Sequence, residues 1–317
     1  ALLEACDEAR SALAATLGDP RVRLETLRSA GGALMDLVPA RDRVAWNREH
    51  TRLADELGDA TSAVIGRLRL SFDLYETGDV VGACATVDEA LAATERLDQP
   101  NHRWRLVALL ATRAFREGRF AEGERLAAEA RQHGERVRDP NVARSLGLHH
   151  ATALLLAGRF DALAAWLPRL YGLFDDGYAA PMIRTFLAAM FLRSDRAADA
   201  AAWIDRDAAC AVIRVGDQTS LEALGFVARA LGDRALAEEI IARLAPRAGG
   251  FVSGGVTGLT WDGPTAFTLA LLAEARGDVE GAHAFYERAH REALATGARP
   301  HAAFIAYEHG RLHQRSD

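Results

Sequence analysis

The chain has 317 residues, 50% of them hydrophobic and 26% charged, with a net charge of −6 and a pI near 6.0. That balance lacks the basic footprint of direct nucleic-acid contact, and no apolar run approaches the roughly eighteen residues of a membrane span. All 38 basic residues are arginine, so a Walker A lysine, a Schiff base and a lysine general base are excluded.

Helical periodicity runs through the whole chain and strand-like alternation is hard to find. In chain order it predicts helices over 1–17, 21–36, 41–57, 61–77, 80–97, 101–117, 120–137, 141–157, 161–174, 179–193, 196–205, 217–231, 234–246, 264–276, 279–296 and 300–314. Stop signals of the type Gly-Asp-Pro, Asp-Gln-Pro and Arg-Asp-Pro set proline at the start of the next helix, where its missing N–H costs nothing. The short links make consecutive helices antiparallel neighbours. Two stretches break the pattern: YGLFDDGYAAP at 171–181, and the glycine-rich 247–264 with Phe251 and Trp261. Irregular insertions of this length are often functional, and otherwise pack as connectors.

A turn motif recurs at Gly78, Gly118, Gly158, Gly232 and Gly277, reading GDVVGA, GRFAEG, GRFDAL, GDRALA and GDVEGA. Asp195 fills the gap, and the spacings are 40, 40, 37, 37 and 45 residues. Seven residues before each turn stand Ser71, Ala111, Ala151, Ala188, Gly225 and Ala270. Five after stand Ala83, Gly123, Leu163, Ala200, Ala237 and Ala282. Small residues let two helices approach closely, and Leu70, Leu110, His150, Leu187, Leu224 and Leu269 flank the first set. A fixed period of this size marks a repeat array.

Large-small on a first helix, a glycine turn and a small residue on a second helix resembles the tetratricopeptide repeat. The expected fold is therefore all-α: one domain over 1–317, a right-handed superhelical solenoid of about seven antiparallel helix pairs, elongated and curved. The longer unit resembles the C-terminal repeats of large bacterial signalling ATPases: LuxR-type large ATP-binding regulators, maltose-regulator-like proteins and ATPase-linked class III nucleotide cyclases. Gly263 to Leu312 carries the closest local likeness. The resemblance implies a regulatory module in a cytosolic signalling or transcription-regulatory protein.

Motifs for chemistry are weak. The glycines at 249–263 lack the lysine and lead-in of a phosphate cradle, and Asp175-Asp176 lacks the third acid of a diphosphate-binding motif. His309 and His313 share a helix face, as do His283, Glu287 and His290, without an H-E-x-x-H pattern; they read as exposed polar faces, and neither metal nor cofactor is expected. His149-His150 reads as a satisfied buried histidine or a ligand-sensitive contact. No nucleophile context appears. Cys6, Cys84 and Cys210 are too scattered for a disulfide framework and read as small apolar residues.

In arrays of this type the first helices line a concave face. Counting back from the turns sets Ile65, Leu68, Phe72 and Tyr75 there, then Arg105, Ala108, Thr112 and Phe115, then Ser145, Leu148 and Thr152. Either these side chains form an open binding lining, with Phe72, Tyr75, Arg105, Thr112, Phe115 and Thr152 as contacts, or a tight superhelix buries them. Phe251 and Trp261 are candidate loop contacts. A protein or peptide partner, or a small effector, suits such a lining. The rival readings are a stand-alone scaffold and an enzyme with a pocket beneath the two irregular stretches.

Overall fold

A computed structural model describes residues 8, 11, 13, 15, 16, 18–35, 38–96, 100–139, 141–174, 180–215, 218–254 and 259–316. The expected helix 1–17 falls largely outside them, as do Cys6 and residues 175–179 with the Asp175-Asp176 pair. The described residues are nearly all helical: α1 (Pro20–Ala33), α2 (Ala40–Glu56), α3 (Ala60–Thr77), α4 (Val80–Arg96), α5 (Pro100–Arg116), α6 (Phe120–Arg136), α7 (Val142–Leu156), α8 (Phe160–Gly172), α9 (Ala180–Arg193), α10 (Ala197–Ala200), α11 (Arg206–Val215), α12 (Gln218–Leu231), α13 (Arg234–Leu244), α14 (Thr265–Arg276), α15 (Val279–Ala295) and α16 (Arg299–Ser316). A short hairpin, β1 (Phe251–Gly254) and β2 (Thr260–Pro264), follows α13 and a turn of 3-10 helix. Among the described residues the fold is all-α with this one ribbon.

The repeat register is visible in the backbone. Gly78, Gly118, Gly158, Gly232 and Gly277 all have positive φ, from 59° to 83°, and Asp195 takes the same left-handed turn at 57°. Each ends a helix where an L side chain is ordinarily strained. The residue after the turn then starts the next helix. Asp79, Asp233 and Asp278 accept from the backbone N–H of Gly82, Leu236 and Gly281 at 2.9–3.0 Å. This is an N-cap, which answers one of the orphan donors of the first turn. Arg119, Arg159 and Arg196 occupy the equivalent slot without a side-chain cap.

Burial follows the same period. Ser71, Ala111, Ala151, Ala188 and Ala270 are each fully buried, as are Ala83, Leu163, Ala200, Ala237 and Ala282, and Gly123 and Gly225 are buried with them. A side-chain carbon on Gly123 would stand 2.6 Å from the Phe115 ring, so the close approach of α5 and α6 requires glycine there. The leucine-equivalent His150 departs: it is exposed, edge-on to Trp166, and the buried histidine is its neighbour His149.

Two expectations are corrected. The stretch given to a helix at 196–205 is one turn, α10, and a separate helix, α11, begins after Asp205, whose carboxylate caps it through Asp207 and Ala208 N–H at 2.9 and 3.0 Å. The stretch 247–264 is a β-hairpin with antiparallel pairing of Phe251 with Pro264, Val252 with Gly263, Ser253 with Trp261 and Gly254 with Thr260. A register shift between Val252 and Ser253 leaves Asp262 as the extra residue of a bulge. Every described hairpin residue is buried. With both faces covered there is no polar face to alternate with, so periodicity could not reveal these strands.

The hairpin lies against first helices of the pairs. It touches α3, α5, α7, α12 and α14, and also α15, while α16 touches α5. One apolar cluster consequently joins Leu70, Leu74 and Tyr75 of α3 to Phe251 and Trp261 of the hairpin and to Phe226, Phe267 and Ile305 of the C-terminal helices. That face is covered there by the hairpin and is not open.

Candidate functional site

The side chains expected to line a concave face are at that closure. Phe72, Tyr75, Thr112, Phe115 and Thr152 are all 2–5% exposed, and Phe251 and Trp261 are buried with them. These positions do not form an open lining: Tyr75, Thr112, Phe115 and Thr152 lie against the chain's own hairpin, and Phe72 lies beneath the Arg43 guanidinium of α2. Leu68 and Ala108 are buried too, while Ile65, Ser145 and Leu148 are half-buried. Arg105 is set apart: it pairs with Asp139 at 2.7 Å and stacks 4.4 Å from the Trp104 ring.

Several of these residues converge on the ribbon. The Thr112 hydroxyl donates to the Leu259 carbonyl at 2.5 Å, and His149 Nε2 lies 3.1 Å from the Thr112 hydroxyl oxygen. With its hydrogen committed to Leu259, the hydroxyl can only accept from His149, which assigns the proton to Nε2. Burial, with His150 adding a little, holds the His149 pKa down at about 4, so the ring is neutral. Arg116 donates to the Thr296 carbonyl and sits 5.9 Å from the Trp261 ring centre. Phe251 stacks on Trp261 at 5.6 Å, and His301 meets Trp261 edge-on at 4.9 Å. A cavity of about 10 Å³ remains among Thr112, Thr152, Trp261 and His301, near the threshold for one water molecule.

The base of the ribbon is equally tight. The Phe251 ring lies on the α3 turn, where a side-chain carbon on Gly78 would stand 2.5 Å away. Gly250 passes so close to α3 that its own side-chain carbon would lie 2.8 Å from the Glu76 carbonyl. Only glycine permits this approach.

Beneath the bulge lies a charged centre that sequence reasoning missed. Arg193 of α9, Glu222 of α12, Asp262 of β2 and His301 of α16 are all buried. Arg193 reaches Glu222 at 3.5 Å and lies over the Phe226 and Phe304 rings at 5.3 and 5.4 Å. Asp262 accepts from Thr260 at 3.1 Å. Burial pushes Glu222 up to about 8, opposed by Arg193 and reinforced by Asp262, and burial raises Asp262 as well. His301 is held at about 3 by burial and by Arg193. One guanidinium therefore serves two carboxyls, and the pair retains a proton at neutral pH. These residues are separated by tens of positions, so no linear motif announces them.

A cleft of about 300 Å³ opens at the hairpin base, lined by Pro39, Arg41, Glu76, Thr77, Pro246 and Gly250 among others. Its lining residue Glu76 belongs to a buried network. Arg43 pairs with Asp73 at 2.8 Å and with Glu76, and burial lifts Glu76 to about 7 despite Arg43. Among the described residues, no helix is long and apolar enough to cross a membrane. No protein-family model and no curated protein matches the chain.

Proposed function

We propose that the chain is a regulatory binding module, the tetratricopeptide-like repeat region of a cytosolic bacterial signalling or transcription-regulatory protein. In this reading the first helices bind extended protein segments on their inner face, and the hairpin is the resident occupant. The observation that supports it is the grip on the ribbon: a threonine hydroxyl on a backbone carbonyl, aromatic side chains packed together, and glycine-only approaches at its base. These are the elements by which helical arrays hold peptides, with hydrogen bonds to the backbone and pockets for anchoring rings. A partner segment or effector that competes with the ribbon, or stabilises it through the 300 Å³ cleft, would shift the equilibrium between closed and open inner faces.

The test supplies the ribbon in trans. A variant with 251–262 replaced by a glycine-serine link is titrated with a labelled peptide spanning 249–264. Saturable binding that weakens with Thr112→Val supports the reading. A folded, cooperatively melting variant that does not bind the peptide contradicts it.

A further inference from the structure

The C-terminal helix pair carries a second constellation, unrelated to the hairpin. His283 projects from α15, and His309 and His313 lie one turn apart on α16. His283 Nδ1 is 2.8 Å from His309 Nε2. The His283 and His313 ring centres are 4.4 Å apart, and those of His309 and His313 4.7 Å. One ring nitrogen from each residue falls within 4.8 Å of the other two. His283 and His309 are half-buried and His313 is exposed, so the group is open to solvent.

A single N–H···N bond pairs the facing nitrogens of His283 and His309, and His313 brings a third ring nitrogen to the same spot. Three nitrogens bound to zinc at about 2.0–2.1 Å in tetrahedral geometry sit roughly 3.3 Å apart. The His283–His309 separation of 2.8 Å and the 4.8 Å limit on the others span that value, so side-chain rotations can bring the three nitrogens to it. The scaffold is already rigid on one side. Tyr286 is buried, donates its hydroxyl to Glu274, and stacks on His309 at 5.3 Å with an 18° tilt. Imidazole donors without a carboxylate cage select borderline divalent ions and not magnesium or calcium, which require oxygen.

We propose that His283, His309 and His313 bind a divalent cation of the zinc class, with a fourth position open to solvent. The ion would clamp α15 to α16, the helix that packs across the array onto α5. The test uses tag-free, chelator-stripped protein with Zn²⁺ alone, by calorimetry and by competition with a chromophoric chelator, and with Co²⁺ as a spectroscopic probe. The expected result is one ion per chain, visible tetrahedral cobalt bands and a zinc-dependent rise in melting temperature. His313→Ala, at an exposed position that spares the fold, should weaken zinc by about tenfold or more, as should His283→Ala. His290→Ala, on α15 outside the trio, should leave the affinity unchanged. Absence of binding by the parent, or equal affinity of the parent and His313→Ala, would overturn the site.

Discussion

Asp278 and Glu222 represent two uses of a carboxylate in this chain. Asp278 is an N-cap at the last repeat turn, held 2.9 Å from Gly281 N–H. Asp278→Ala should cost about 1 kcal/mol, the usual worth of a cap, read as a lower denaturant midpoint with an unchanged slope. Glu222 is buried beneath the hairpin bulge, with its pKa near 8. A carboxyl raised in this way binds its proton more tightly folded than unfolded. Its contribution is full below about pH 4.3, the unfolded value, and is lost as pH rises through 8. Between pH 6.5 and 8.5 the parent should therefore lose about 2 kcal/mol relative to Glu222→Gln, which keeps the shape and cannot ionise. Parallel stability profiles for the two proteins across that window would mean that Glu222 is ionised throughout. The turn at Gly277 was legible in the sequence as a recurring local motif, and the structure adds the cap that follows it. The Glu222 environment was not, since its partners come from α9 and β2.

At the scale of elements, small residues at fixed offsets from each turn set how closely neighbouring helices approach. Ala188 and Ala237 are both fully buried at such positions. Ala188→Trp and Ala237→Trp should each destabilise by ~1–3 kcal/mol or more through overpacking, seen as a lower melting temperature and faster amide exchange in the affected pair. Unchanged melting of both would place the contacts elsewhere. Helix bounds were readable within a few residues wherever caps, turns and period agreed. They failed at α10 and α11, where a one-turn helix and a capped restart interrupt the unit. They failed again at the hairpin, whose residues FVSG and TWDGP are buried on both faces and carry no alternation. The trio of histidines was half legible: His309 and His313 share a face by spacing, but His283 joins them only through the packing of α15 on α16.

Over the whole molecule, the decisive feature is what occupies the inner face. The sequence identifies residues of the first helices that face inward, among them Tyr75, Thr112 and Phe115. It does not show that Phe251 and Trp261, far along the chain, fill the space in front of them. That contact depends on packing between elements far apart in the chain, which repeat spacing alone does not determine. Closure also explains why His149, Thr112 and Leu259 form one hydrogen-bonded set across more than a hundred residues of sequence. Amide hydrogen exchange of the hairpin in the intact chain tests this most directly. Ribbon amides paired within β1–β2 and covered by helices should exchange as slowly as those of α14, by opening of the core. Exchange of the hairpin at the rate of an exposed loop, while α14 stays protected, would contradict a closed inner face.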